Sequence, residues 1–250
     1  MGQNITLKTT DGHSLGAYKA EGAMPQSVEL KYQTREETSN ETYLGLTLDD
    51  FRADPYRRYD ASTHDVFNGE NELFQLTHKI EVAPNLSLTT FAYRHDFFRN
   101  WYKLQGISAS GTGASGDRGI SSIIADPITY AAEFDIITGA TSLDDSIVLR
   151  ANRRDYYSQG VQSVLNWQTD LGGVSHDVTV GVRLHEDEED RFQEEDAYRL
   201  ENGRMFLTTA GAPGSQANRV SSGEAVALFV EDRIRWDRWT VTAGARFEDY

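Results

Sequence analysis

The chain is dominated by segments in which apolar and polar residues alternate, the pattern of a strand with two different faces. In VSHDVTVGVRL, residues 174–184, one face carries Val174, Val178, Val180, Val182 and Leu184, interrupted by His176. In residues 239–248 the corresponding face carries Trp239, Val241, Ala243, Ala245 and Phe247. This period of two predicts antiparallel β-strands that each have one apolar face.

Tight turns join the alternating segments and predict three hairpins. The turns lie at Ala83-Pro84-Asn85, at Leu171-Gly172-Gly173 and at Asp237-Arg238. Strands are predicted near residues 27–36, 72–82, 86–104, 155–170, 174–186, 224–236 and 239–250. Near the start of the chain, NITLKTT is expected to pair with SVELKYQTREE.

The connections at the two ends of the hairpins differ in length. Turns of a few residues close one end, whereas polar segments at roughly 38–70, 105–154 and 186–223 close the other. Loops this long are uncommon in compact domains and usually carry function. Short turns that alternate with long loops are typical of the periplasmic and extracellular ends of an outer-membrane barrel. We therefore expect an all-β fold of antiparallel up-and-down strands that belong to a transmembrane β-barrel.

Hydropathy is compatible with this interpretation. The mean hydropathy is -0.56, and the chain has no run of about 20 apolar residues that would predict a transmembrane helix. Barrel strands put only every second residue into lipid, so a low average does not exclude a membrane barrel. Trp167, Trp236 and Trp239 lie beside the tight turns, where they fit either an interfacial girdle or ordinary aromatic packing.

Charge and residue content narrow the functional classes. The net charge of -15 disfavours nucleic acid as a partner, because phosphate binding needs a basic surface. There is no cysteine, which excludes disulfides and thiol chemistry, and the six histidines show no metal-ligand spacing. No catalytic arrangement can be identified, so we expect no enzyme activity, no cofactor and no metal site.

Two stretches resemble TonB-dependent outer-membrane receptors of the ferric citrate type. They are SNETYLGLTLDDFRADPYRRY at Ser39–Tyr59 and LTTFAYRHDFFRNWYKLQG at Leu88–Gly106. The closing segment, ALFVEDRIRWDRWTVTAGARFEDY at Ala227–Tyr250, resembles a barrel hairpin found more widely among TonB-dependent receptors. The resemblance covers most of the chain from about Val28 onward.

The resemblance implies a barrel of the 22-stranded class with a plugged lumen. Residues 1–250 are then expected to be a partial barrel domain, with about eight strands, and neither a plug domain nor a TonB box is recognisable. The implied function is uptake of a ferric chelate, here expected to be citrate-like, driven by the TonB–ExbB–ExbD complex through the plug. The implied location is the bacterial outer membrane, in contact with lipid and lipopolysaccharide.

Two other functions remain open at this point. A passive porin or structural outer-membrane barrel uses the same strand pattern and needs no plug. A soluble β-rich carbohydrate-binding or hydrolytic domain also contains hairpins and many acidic residues, although no spacing identifies a catalytic pair.

Basic residues near the predicted long-loop end are candidates to bind an anionic chelate, because guanidinium groups donate paired hydrogen bonds to carboxylates. The candidates are Arg57, Arg58, Arg94, Arg99 and Lys103, with Arg153 and Arg154 near the same end. Arg94 and Arg99 are an odd number of residues apart, so an undistorted strand places them on opposite faces. At most one of these two is therefore expected to face the lumen.

Two further segments are expected to be loops. HEDEEDRFQEED, at His185–Asp196, fits a solvated extracellular loop, or a loop that binds divalent cations. SASGTGASGDRG, at Ser108–Gly119, lacks the lysine of a phosphate loop and fits a flexible loop tip.

Overall fold

The computed structural model describes residues 2–8, 14–20, 24–112 and 119–250, and most of them are in β-strands. The strands are β1 (Gly2–Lys8), β2 (Ser14–Ala20), β3 (Gln26–Ser39), β4 (Val66–Ala83), β5 (Leu86–Ile107), β6 (Ile147–Leu171), β7 (Val174–Glu201), β8 (Arg204–Thr209), β9 (Ala217–Trp236) and β10 (Trp239–Asp249). Short helices lie in the connections: α1 (Leu48–Ala53), α2 (Ile120–Ala125), α3 (Ala131–Ile137) and a 3-10 turn (Asp60–Ser62). None of these helices is long and apolar enough to cross a membrane.

The strands form two antiparallel sheets. β1 pairs with β2, and the other strands form an 8-stranded sheet in the order β10-β9-β7-β6-β5-β4-β3, with β8 paired to the far end of β7. Apart from the β8 hairpin, each strand of this sheet pairs with its neighbour in the chain. This up-and-down order confirms the predicted all-β, antiparallel fold.

Tight turns close one end of the large sheet, as predicted. Gly172 and Gly173 join β6 to β7 with φ of 65° and 83°, as the mirror-image turn of a two-residue hairpin requires. In the turn between β9 and β10, Asp237 has φ of 52°. At the other end the long connections run over residues 40–65 and 108–146, and over the segment around β8.

The predicted strands are all present, but most extend further towards the long connections. The acidic segment His185–Asp196, expected to be a loop, is part of β7. Beyond Leu184, both faces of this strand carry polar residues, so the alternation that marks a half-buried strand disappears although the backbone pairing with β6 continues. The pairing expected for NITLKTT was also wrong, because β1 pairs with β2 while β3 pairs with β4.

The register gives the large sheet one apolar and one polar face. One row on the apolar face crosses five strands and consists of Leu88, Leu165, Val180, Val230 and Ala245. Most of the larger side chains on this face, among them Val180 and Leu228, are exposed. Trp167, Trp236 and Trp239 lie at its tight-turn edge and are also exposed. The apolar face is therefore not covered by any described part of the chain.

The buried core lies at the opposite end, among the long connections. It includes Leu104, Ile107, Ile123, Ile137, Ile147 and Leu200. These residues come from the ends of β5, β6 and β7 and from α2 and α3, so the connections fold into a packed cap on the strand ends. Within Ser108–Gly119, residues 113–118 lie outside the described part of the chain, and the expectation of a flexible loop tip there stays a prediction.

Candidate functional site

A row of four arginines crosses the polar face of the large sheet. Arg99 on β5 pairs with Arg154 on β6, Arg154 with Arg191 on β7, and Arg191 with Arg219 on β9. Residues that are paired in this way point to the same face, and neighbouring strands lie about 4.8 Å apart. The four side chains, which we call the arginine row, therefore start from a line of about 14 Å across the sheet.

Such a row has an electrostatic cost that the surroundings only partly offset. Like charges directly opposite one another on neighbouring strands destabilise a sheet. Partial burial, and then the charges of Arg154 and Arg219, lower the pKa of Arg191. Arg191 lies beyond Leu184, where the apolar face of β7 ends. A concentration of positive charge is unexpected in a chain whose net charge is -15.

Two side chains link the arginines of the row. The hydroxyl of Tyr156 accepts hydrogen bonds from Arg99 Nη2 at 3.1 Å and from Arg154 Nη1 at 3.2 Å. Glu189 Oε1 accepts a hydrogen bond from Arg154 Nη1 at 2.7 Å and lies 4.0 Å from Arg191 Nε. The row thus carries four positive charges and one directly bound carboxylate.

Several donors of the row remain unused. The Nε atoms of Arg99 and Arg191 are shielded from solvent and have no hydrogen-bond partner among the described residues. Arg219 is exposed, and its guanidinium group makes no ion pair within the described part of the chain. Of these groups, the exposed guanidinium of Arg219 can donate to an anion that arrives from outside the chain.

A groove of about 630 Å³ adjoins the row on the polar face, a volume within the range of small-molecule sites. Its lining includes His95, Phe97, Arg154, Tyr156, Asp187 and Glu189. The groove therefore offers aromatic surface and both signs of charge beside the arginines. No group of three or more histidine, aspartate or glutamate side chains that could hold a metal ion occurs in the described ranges.

Of the residues selected from sequence, Arg99 and Lys103 lie on the polar face. Lys103 pairs with Arg150, four residues further along each strand from the arginine row, and its Nζ lies 4.1 Å from the ring centre of Tyr43. Burial, and then the charge of Arg150, lower the pKa of Lys103. Lys103 thus lies on the same face as the row, about 13 Å further along the strand, and is partly enclosed by the cap.

Arg94 lies on the other face of β5 from Arg99. The register is continuous between the two residues, so their odd spacing places them on opposite faces, as predicted. Arg94 Nη2 lies 2.7 Å from Asp96 Oδ1, and its Nη1 donates to Gln159 Oε1 at 2.9 Å. These contacts lie on the apolar-face side, just beyond the apolar residues.

Arg57 and Arg58 lie in the first long connection and bond to the connection itself. Arg57 Nη1 donates to Asp50 Oδ1 at 2.6 Å. Arg58 donates to the backbone carbonyls of Asn40, Ser62 and Asp65, so its guanidinium ties two parts of this connection together. A role of Arg57, Arg58 or Arg94 in ligand binding stays a prediction, while their contacts are those of structural residues.

Asp65 anchors the first connection to β5. The residue is 1% exposed, and its carboxylate accepts hydrogen bonds from Leu104 N at 2.8 Å and from Thr42 Oγ1 at 2.6 Å. Burial raises the pKa of Asp65 to about 6 although these bonds and the charges of Arg58 and Lys103 oppose the shift. The cap beside Lys103 therefore contains a carboxyl group whose pKa is raised to about 6 by burial.

Sequence reasoning missed Arg191 and Arg219, and with them the row. Arg191 lies inside the acidic segment that was expected to be a loop, and Arg219 lies in the same predicted long polar segment. The signal that unites them with Arg99 and Arg154 is the pairing register of strands that are far apart in sequence.

Comparisons with known proteins agree with the fold. A family model described as TonB dependent receptor-like, beta-barrel, matches residues 16–250. The ferric citrate transporter FecA in its unliganded form is similar in structure with a TM-score of 0.60 and 16% identity, over 99% of this chain and 34% of that chain. The ferric-catecholate import receptor Fiu from E. coli K12, in its open form, gives 0.57 and 11%, over 99% and 42%.

A third similar structure is BauA, the ferric preacinetobactin receptor from Acinetobacter baumannii, with a TM-score of 0.53 and 9% identity, over 93% of this chain and 32% of that chain. The chain therefore spans between about a third and two fifths of the length of these structures. Identities this low show a common fold and nothing about the ligand. No curated protein was found that matches the chain.

Proposed function

The chain belongs to the family of TonB-dependent receptor-like β-barrels, and from this premise we propose that it forms part of the wall and extracellular loops of a receptor that takes up a ferric chelate. The family consists of outer-membrane receptors and transporters and not of enzymes. In this proposal the apolar face contacts lipid, the polar face lines the lumen, and the long connections lie outside the cell. The residues beyond the apolar band, such as Arg94, then lie at the level of lipopolysaccharide.

The proposed ligand is an anionic, carboxylate-rich chelate of the citrate type. The observation that carries this proposal is the arginine row, because four guanidinium groups side by side destabilise the empty sheet and suit several carboxylates at once. The exposed guanidinium group of Arg219, which makes no ion pair in the described part of the chain, supports it. Lys103, on the same face of the sheet, would add to the attraction of an anion.

Transport by this receptor is proposed to need the rest of a 22-stranded barrel, a plug and a TonB–ExbB–ExbD complex. A passive porin would show no such dependence. Uptake of ferric citrate that continues unchanged in cells without TonB would therefore favour the porin alternative over the proposed receptor.

Neighbouring arginines on β6 provide a matched test of the ligand site. Arg154 belongs to the row, whereas Arg153 points to the other face, where it lies 3.6 Å from Asp155. In the receptor as produced in cells and purified in detergent, Arg154→Ala should weaken binding of ferric citrate by roughly ten- to a hundredfold, since a charge-assisted hydrogen bond contributes about 1.5–3 kcal/mol. Arg153→Ala should leave the affinity unchanged.

Calorimetric titration with ferric citrate measures both variants directly. Arg99→Ala should resemble Arg154→Ala. Equal affinity for ferric citrate in the native receptor and in the Arg99 and Arg154 variants would show that the row does not bind this chelate.

A further inference from the structure

Tyr156 occupies a special position between two arginines of the row. Its hydroxyl accepts hydrogen bonds from Arg99 on the neighbouring strand and from Arg154 two residues away on its own strand. The Arg99 guanidinium also lies over the Tyr156 ring, 5.7 Å from its centre. One neutral phenol therefore contacts two guanidinium groups of like charge.

The phenol ring is itself held in place. Phe97, which pairs with Tyr156 across β5 and β6, stacks on it with ring centres 5.7 Å apart and an angle of 19° between the planes. Arg154 is further fixed because its Nε donates to Asn152 Oδ1 at 3.2 Å. The hydroxyl thus has a defined position from which it can orient both guanidinium groups.

A neutral acceptor orients the arginines differently from a carboxylate. Glu189 also binds Arg154, but it cancels one positive charge and occupies donors that a ligand carboxylate would use. Tyr156 takes one donor from each arginine and leaves the charge of both intact. The remaining donors of the two guanidinium groups then have a fixed separation and direction.

We propose that Tyr156 is a positioning residue that sets the spacing of Arg99 and Arg154 and so makes the row selective for a chelate with several carboxylates over a compact single anion. The proposal rests on the ligand site proposed above. A multidentate ligand depends on the separation of two guanidinium groups, whereas a compact anion such as phosphate can be held by either one.

The adjacent residue supplies a matched control. Tyr157 points to the other face, and its hydroxyl donates to Glu186 Oε1 at 2.6 Å. Tyr156→Phe and Tyr157→Phe therefore each remove one phenol hydroxyl and its hydrogen bonds, on opposite faces of the same strand. A second variant, Phe97→Leu, removes the stacking partner of Tyr156 while its hydroxyl is retained.

The experiment titrates the purified receptor with ferric citrate and, separately, with inorganic phosphate in competition with ferric citrate. Tyr156→Phe should weaken ferric citrate binding about tenfold and change phosphate binding less than twofold, which lowers the ratio of the two affinities. Phe97→Leu should lower this ratio by a smaller factor. Tyr157→Phe should change neither affinity, and thermal unfolding of all variants reports any general loss of structure.

The outcomes separate this inference from the proposed site. If Arg154→Ala weakens ferric citrate binding but Tyr156→Phe does not, the positioning role is refuted while the ligand site stands. An equal loss of both affinities in Tyr156→Phe would show a general structural role and would also refute the inference. If neither Arg154→Ala nor Tyr156→Phe changes binding, the ligand site itself is wrong.

Discussion

The buried carboxyl group of Asp65 should make the first long connection more stable in mild acid than at neutral pH. Burial raises the pKa of this group from 3.8 to about 6 in the folded cap. When the connection opens and Asp65 meets water, the pKa returns towards its ordinary value. A raised pKa means that the closed form binds the proton more tightly than the open form, so protonation favours closure.

The size of the effect follows from the shift. A difference of about two pKa units corresponds to roughly 3 kcal/mol, which is the stabilisation present below pH 3.8 and lost as the pH rises through 6. Between pH 7.5 and pH 5 about half of it is regained. The opening equilibrium of the connection should therefore fall roughly tenfold over this interval.

Hydrogen exchange is the appropriate measurement, because the amide of Leu104 donates directly to Asp65. Protection factors for residues 40–65 and for the end of β5, corrected for the intrinsic pH dependence of exchange, should rise as the pH is lowered from 7.5 to 5. Asp65→Asn keeps an oxygen that can accept from Leu104 but cannot ionise. The pH dependence of protection should disappear in this variant.

Three results would refute the reasoning. Protection that stays constant in the native receptor over this interval would mean that Asp65 is ionised or neutral throughout, so that burial does not govern its titration. Protection that falls on acidification would mean that the ionised form stabilises the cap, which would reverse the assignment. The same slope in Asp65→Asn would assign the effect to another group.

Two further predictions concern structural residues. Arg58→Lys should increase proteolysis within residues 40–65, because lysine lacks the planar fork that reaches several carbonyls, whereas Arg52→Lys on the exposed side of α1 should have no effect. Gly181→Ala should reduce the yield of folded protein and destabilise it by about 1–3 kcal/mol, because the new methyl group would lie 2.0 Å from the Phe229 ring. Gly223→Ala is the control, since the nearest atom to its new methyl group is 3.4 Å away. Equal yields of the two variants would contradict the prediction.

The strands could be predicted from sequence where one face of the sheet is apolar and the other is polar. In β10 the alternation from Trp239 to Phe247 is regular, and the strand is found within one residue of its predicted bounds. The turns were equally clear, because Gly172-Gly173 supplies the positive φ values that a short hairpin needs. Local sequence was sufficient in both cases.

The alternation of apolar and polar residues failed to predict the strand end where both faces of a strand are polar. β7 was expected to end near residue 186 but continues to Glu201. Most of its extension is held by cross-strand contacts, such as those of Glu189 and Glu195 with Arg154 and Arg150, and only its last residues, among them Leu200, reach the apolar core of the cap. The helices of the cap were missed for a related reason: they have six or seven residues each, too few to show a helical period.

The candidate site illustrates how function can depend on register rather than on motif. Arg99 and Arg154 are separated by the whole second connection, and Arg191 and Arg219 by the β8 hairpin, so no window of sequence contains the row. A shift of one residue in any pairing would move the following arginine to the apolar face. The row therefore exists because the apolar alternation near the tight turns fixes the register, and strand pairing carries that register seven residues further, from Leu184 to Arg191 on β7, into a region with no apolar pattern of its own. A change that slips β6 against β7 near Leu165 and Val180 should consequently disrupt the proposed ligand site although it lies far from the four arginines of the row.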